Sequence, residues 1–173
     1  FDHSSPDISG RNVIWTDRST GVLNVFLYNL DTKKTRQITS GSTDSRYAMI
    51  DGSNIVWIDT RTGVEQIYLY DIDSGKERQI TSAKSLKLSP VISGECIVWI
   101  DSRSGDDKWD VYGYNLTTGE ERAICTNAAR QAQPWVWGDT VVWADGRNGN
   151  WDIYSYDLLM ETERAVVTNS ANQ

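Results

Sequence analysis

PVISGECIVWIDSRSGDDKWDVYGYNLTTGEERAICT, residues 90–126, is the stretch that decides the fold. Its apolar runs are short, β-branched or aromatic, and alternate with polar residues at a period of two, as half-covered strands do. The spacing predicts strands near Pro90–Ser93, Cys96–Ile100, Asp110–Leu116 and Glu121–Thr126. Between them lie Ser-Gly-Glu, a longer Ser-Arg-Ser-Gly-Asp-Asp loop and Thr-Thr-Gly-Glu, all turn-forming residue types. No window carries a sustained helical apolar period, so essentially no helix is expected.

The same unit recurs along the chain. Gly10, Gly52, Gly94 and Gly138 stand five residues before Trp15, Trp57, Trp99 and Trp143, and the Trp-to-Trp steps are 42, 42 and 44. An Asp follows each Trp by two positions: Asp17, Asp59, Asp101 and Asp145. Then come the alternating segments NVFLYNL (24–30), QIYLYDI (66–72), DVYGYNL (110–116) and DIYSYDL (152–158), and the closing runs RQIT (36–39), RQIT (78–81), RAICT (122–126) and RAVVT (164–168). Four short antiparallel strands per period of about 40–50 residues is the signature of a β-propeller blade. The expected fold is all-β, one β-propeller domain over residues 1–173, with four blades at about 5–40, 46–82, 88–127 and 132–169. Those blades fit a closed four-bladed ring, half of a larger ring, or a fragment of a larger propeller.

The unit P-x-I-S-G-x-x-I-V-W-x-D-x-R-x-G-x-x-D-I-Y-x-Y-D-L-x-T-G-x-E-x-Q-I-T resembles the TolB-type propeller repeat of bacterial and archaeal envelope proteins, over about residues 5–168. The resemblance implies six or more blades, whereas four are present. It also implies an extracellular, cell-surface or periplasmic setting. It implies no single activity, because such blades serve as binding modules, as lids on serine peptidases and as lyase scaffolds.

Composition removes several classes of function. With 17 Lys+Arg against 24 Asp+Glu, the net charge of −7 argues against a nucleic-acid binder that tracks phosphates. One His and two Cys cannot build a zinc finger or a multi-His site. The apolar runs are far short of the roughly 20 residues that span a bilayer as a helix. The chain starts at Phe1 without an initiator Met, and reads as a mature or excised segment. Cys96 and Cys125 fall on strands that are not neighbours in the sheet, so two unpaired thiols are expected. Asn115-Leu116-Thr117 is a glycosylation sequon, meaningful only in a secreting, glycosylating source.

The repeated side chains read mainly as structure. A Trp at one place in every second strand suits packing between blades, and the same holds for Tyr28, Tyr70, Tyr114 and Tyr156. The Asp of each D-x-R-x-G suits the backbone N–H groups of the following turn, and Arg61, Arg103 and Arg147 suit that Asp. Calcium at Asp101 and Asp145 is the weaker alternative, since the Arg competes with a cation. No cofactor is expected.

What breaks the repeat points to binding. The loop from Asp101 to Asp110 is two residues longer than its equivalents and carries Asp106, Asp107, Lys108 and Trp109. The matching loop of the last unit runs from Arg147 through Asn150 to Trp151, where the first two units have Leu23 and Glu65. Trp135 and Trp137 occupy first-strand positions held elsewhere by Asp7/Ser9, Met49/Asp51 and Val91/Ser93. His3, Arg46, Lys87, Arg130 and Gln131 are polar candidates at the channel mouth, suited to a carboxylate-bearing partner. Catalytic inventory is thin: there is no G-x-S-x-G elbow, and the sole His sits in a terminal linker. The expectation is a non-enzymatic binding or assembly module working through the loop face and channel mouth. Its partner is a protein or glycan, with self-association as a way to complete a ring, and with no nucleic acid or membrane insertion. A substrate-gating propeller of a larger hydrolase and a carbohydrate-binding propeller are the alternatives.

Overall fold

Each repeat forms one four-stranded antiparallel sheet whose strands lie side by side in chain order. Blade 1 comprises β1 (His3–Ser9), β2 (Asn12–Asp17), β3 (Asn24–Asn29) and β4 (Lys34–Gln37). Blade 2 comprises β5 (Ser45–Asp51), β6 (Asn54–Asp59), β7 (Gln66–Asp71) and β8 (Lys76–Gln79). Blade 3 comprises β9 (Lys87–Ser93), β10 (Cys96–Asp101), β11 (Asp110–Asn115) and β12 (Glu121–Cys125). Blade 4 comprises β13 (Gln131–Trp137), β14 (Thr140–Asp145), β15 (Asp152–Asp157) and β16 (Thr162–Val167). This is a computed structural model, and it describes residues 3–105 and 108–168. Among these there is no helix, and hence none long and apolar enough to cross a membrane.

The first two strands of every blade join through a two-residue turn that opens on Gly10, Gly52, Gly94 or Gly138, at φ +53° to +56°. That left-handed conformation is open to glycine at no steric cost and explains the fixed Gly-to-Trp spacing. The first strands start earlier than the alternation predicts, at Lys87 rather than Pro90 in blade 3. A bulge interrupts each one, and Ser5, Tyr47, Ser89 and Gln133 sit there at φ +50° to +54°. The extra residue reverses the facing of everything before it. Lys87 therefore pairs with Asp101, and Gln131 with Asp145, on the Trp side of their sheets.

The chain divides into two compact units, Phe1–Lys84 and Ser85–Gln173, each holding two blades. We call the face of a blade that carries the repeated Trp its front and the opposite face its rear. In the first unit Ile14, Val25 and Leu27, on the rear of blade 1, form one core with Ile50, Ile55, Trp57, Tyr68 and Tyr70, on the front of blade 2. Trp57 is fully buried there, and a ring of that size is worth about 3–5 kcal/mol against alanine. Polar contacts fix the alignment: Asp7 Oδ2 accepts from Ile50 N (2.8 Å), Ser9 Oγ accepts from Gly52 N (2.9 Å), and the Arg36 guanidinium lies over the Tyr70 ring (5.0 Å). The second unit repeats the device. Ser93 Oγ accepts from Gly138 N (3.2 Å), Arg122 lies over Tyr156 (5.7 Å) and reaches Glu161 (2.8 Å), and Val136, Val141 and Trp143 are buried on the front of blade 4.

Candidate functional site

The turn after each second strand is wired the same way in blades 2, 3 and 4. Asp59, Asp101 and Asp145 accept from the backbone N–H of Arg61, Arg103 and Arg147 at 2.8–2.9 Å, and from the guanidinium of the same residue at 2.6–2.7 Å. Each guanidinium also pairs at 2.5 Å with a carboxylate on the fourth strand: Glu77, Glu121 or Glu163. It lies 3.8–4.3 Å from the ring of Tyr68, Tyr112 or Tyr154, and that ring stacks on the repeated Trp with centroids 6.1–6.3 Å apart. Burial pushes the Asp101 and Asp145 carboxyls up, but hydrogen bonds from the neighbouring Arg and Trp, with Ser85 at Asp101, outweigh it and hold both below their ordinary value. The Trp99 and Trp143 indoles donate to them at 3.0 Å. These carboxylates thus already accept from protein donors, the guanidinium groups of Arg103 and Arg147 among them. Among the described residues no cluster of His, Cys, Asp or Glu could hold a metal.

Sequence reasoning missed the Glu and the Tyr of this clamp, although the signal was present. Blade 1 lacks all three partners together, with Ser19, Thr35 and Phe26 at the positions of Arg, Glu and Tyr. Its Arg18 instead reaches Asp44 (3.0 Å), which also takes Arg46 (2.9 Å) and Leu23 N (2.9 Å). The Leu23 amide first, and then the two guanidinium groups against a small burial cost, lower the Asp44 carboxyl to about 2.

Some of the irregular residues of blades 3 and 4, Trp109, Asn150 and Trp151, gather around Arg130 in the second unit. Trp109 O accepts from Gln131 N (2.8 Å) and Arg130 O accepts from Gly146 N (3.0 Å), tying the long loop of blade 3 to the turn of blade 4. The Arg130 guanidinium lies over the Trp109 ring at 5.9 Å. Arg130 also borders a shallow pocket of about 360 Å³, completed by Gly146, Gly149, Asn150 and Trp151. A Cβ at Gly146 would stand 3.4 Å from Arg130 O and 3.9 Å from the Trp151 ring, in ordinary van der Waals contact with both, so this turn lies against the Arg130 backbone and the Trp151 ring. Asn150 Nδ2 donates to Asp152 Oδ1 (2.9 Å), and Asn148 Nδ2 to Asp152 Oδ2 (2.6 Å), which stiffens the turn beneath Trp151. Both loop Trp rings are half-buried, Arg130 is exposed, and among the described residues Arg130 has no ion-pair partner. A guanidinium over one indole, bordering a pocket lined by a second, suits a carboxylate attached to a ring or chain that can lie on an aromatic face.

The other candidates lie elsewhere. Asp106 and Asp107 fall outside the described residues. His3 opens β1 opposite Asp17. Lys87 is fully buried, its Nζ donating to Ser85 O (2.8 Å) and Ser85 Oγ (3.1 Å), because the bulge turns it inward. Arg147 is held in the clamp. Trp135 and Trp137 pair with Val142 and Thr140 on the rear of blade 4, and are 54% and 80% exposed. Cys96 and Cys125 are free thiols. A second groove, of about 430 Å³, opens between blades 3 and 4, where Gly113 replaces the Leu27 and Leu69 of the earlier blades.

No protein-family model matches the chain, and no curated protein does. Solved structures do. TolB from Acinetobacter baumannii superposes with a TM-score of 0.75 at 15% identity, over 99% of this chain and 45% of that one. A putative TolB from Agrobacterium tumefaciens gives 0.73 at 16% identity, over 98% and 63%. A puromycin-hydrolysing peptidase from Mycobacterium tuberculosis gives 0.75 at 15% identity, over 96% and 29%. The chain thus spans less than two-thirds of each of these proteins, and at such identities the likeness speaks for architecture alone. In architecture, the protein is a TolB-like β-propeller.

Proposed function

We propose that the chain is a non-enzymatic binding module of an envelope or cell-surface protein, and that it holds a carboxylate-bearing protein or glycan at the loop face of blades 3 and 4. The observation that carries this reading is Arg130, set over Trp109 and bordering the pocket closed by Asn150 and Trp151. Loops on a rigid β scaffold are where binding groups concentrate, and departures from a repeat are where a repeat protein differentiates. The envelope setting rests on the TolB-like repeat and architecture.

The test is a tryptophan-fluorescence titration with two panels, uronate-containing against neutral oligosaccharides and acidic against amidated peptides. A saturable change confined to the carboxylate members, lost in Arg130→Ala and in Trp151→Ala, supports the reading. Equal response to neutral members, or silence across both panels at millimolar concentration, removes it.

A further inference from the structure

Two blade faces carry apolar groups that their equivalents bury. On the front of blade 1, Ile8 is 60% exposed, whereas Ile50, Ile92 and Val136 at the same place in the other blades are 2–6% exposed. Val13, Trp15, Phe26 and Tyr28 beside it are half-buried, while their counterparts Ile55, Trp57, Tyr68 and Tyr70 in blade 2 are buried under the rear of blade 1. On the rear of blade 4, Trp135 and Trp137 stand exposed next to the half-buried Val142, Ala144 and Ile153, and Arg164 is exposed opposite Ser155.

The two faces are complementary by the rules of the interfaces already built. Arg36 and Arg122 each leave the rear of one blade to cover a Tyr on the front of the next. Arg164 holds their place on blade 4, and Tyr28 holds the place of the covered Tyr on blade 1. One element differs. Where Ser9 and Ser93 accept from the glycine turn of the following blade, blade 4 has Trp137, which accepts nothing there. An indole pair at that end exchanges a hydrogen bond for apolar contact, and Ile8 is the apolar group it would meet.

We propose that the rear of blade 4 of one copy seats on the front of blade 1 of a second copy, with Trp135 and Trp137 over Ile8 and Arg164 over Tyr28. Such a contact is heterologous, so its two surfaces can be disabled separately.

Sedimentation velocity from about 1 µM to 1 mM should show reversible, concentration-dependent association. Ile8→Lys and Trp137→Lys alter exposed side chains, so circular dichroism should confirm an unchanged fold in both. Each variant alone should associate at least about tenfold more weakly than the wild type, the usual scale for a central apolar anchor. An equimolar mixture of the two should regain dimers, because one intact front then meets one intact rear, but should form nothing larger. A wild type that stays monomeric throughout overturns the proposal, as does undiminished association of either variant. Failure of the mixture to pair while the wild type associates overturns the head-to-tail arrangement.

Discussion

Replacing Arg147 by Met should destabilise the protein far more than the loss of an ordinary surface ion pair. Asp145 is fully buried and the Arg147 side chain is 19% exposed. The substitution leaves the carboxylate with no cationic partner, only the Trp143 indole, one backbone N–H and the weak Cys125 thiol donor. Breaking a buried pair in this way costs about 3–5 kcal/mol. The Glu163 contact is more exposed and adds less than about 1 kcal/mol, while Met retains part of the packing on Tyr154. A total near 4 kcal/mol corresponds to a fall in Tm of about 10 °C for a chain of this length. Urea unfolding followed by tryptophan fluorescence measures it, and it supplies a second criterion. Asp145→Asn combined with Arg147→Met removes the stranded charge, so the double variant should recover more than half of the loss. A single-variant cost below about 1 kcal/mol, or a double variant no better than the single one, would refute the view of the clamp as a buried, coupled pair.

Acid should act through the same carboxylates. Asp59, Asp101 and Asp145 are held below their ordinary value of 3.8, and Asp44 at about 2. Groups whose folded value is depressed stabilise the fold above their unfolded value and lose that contribution as pH falls through the folded one. The urea midpoint should therefore stay flat down to about pH 4.5 and fall steeply between about pH 4 and pH 2; a decline beginning near pH 6 would contradict this assignment. Lys33 takes a left-handed conformation (φ +54°) at the turn position where blades 2 and 3 have Gly75 and Gly119, so Lys33→Gly should raise stability by about 0.5–1 kcal/mol, and a loss in thermal denaturation would count against it. Burial pushes the Cys96 thiol up to about 11 and the Cys125 thiol up to about 12. Ellman's reagent at pH 8 should accordingly titrate neither promptly in the native protein and both in urea.

The blade was legible because its causes are local. Two-residue glycine turns and period-two alternation recur at a fixed spacing, so the sheet order and nearly every strand boundary follow from residues close in sequence. The first strands were the exception. Their bulges fall beside Pro6, Pro90 and Pro134 and reverse the facing of preceding residues, so simple alternation sends Lys87 outward when it lies inside. The loop site was half legible. Trp109 and Trp151 stood out as departures from the repeat, and Arg130 as a charge in a linker, but their convergence depends on the Trp109–Gln131 and Arg130–Gly146 backbone bonds, which join segments far apart in sequence. The clamp was missed for the opposite reason. Its Arg, Tyr and Glu recur so regularly that each looked ordinary, and only their joint absence from blade 1 marks them as one device.

That joint absence has a consequence for how such chains change length over generations. The aromatic stack and the charges that complete it are drawn mostly from within a single blade, so a duplicated stretch of gene brings its internal wiring with it. A newly inserted copy needs from its neighbours only a matching apolar face, a seat for its glycine turn and an arginine for its tyrosine. The number of blades can then drift by whole units without any one copy being left with a stranded charge, and loops such as those bearing Trp109 and Trp151 can diverge on copies whose foundations are already secure.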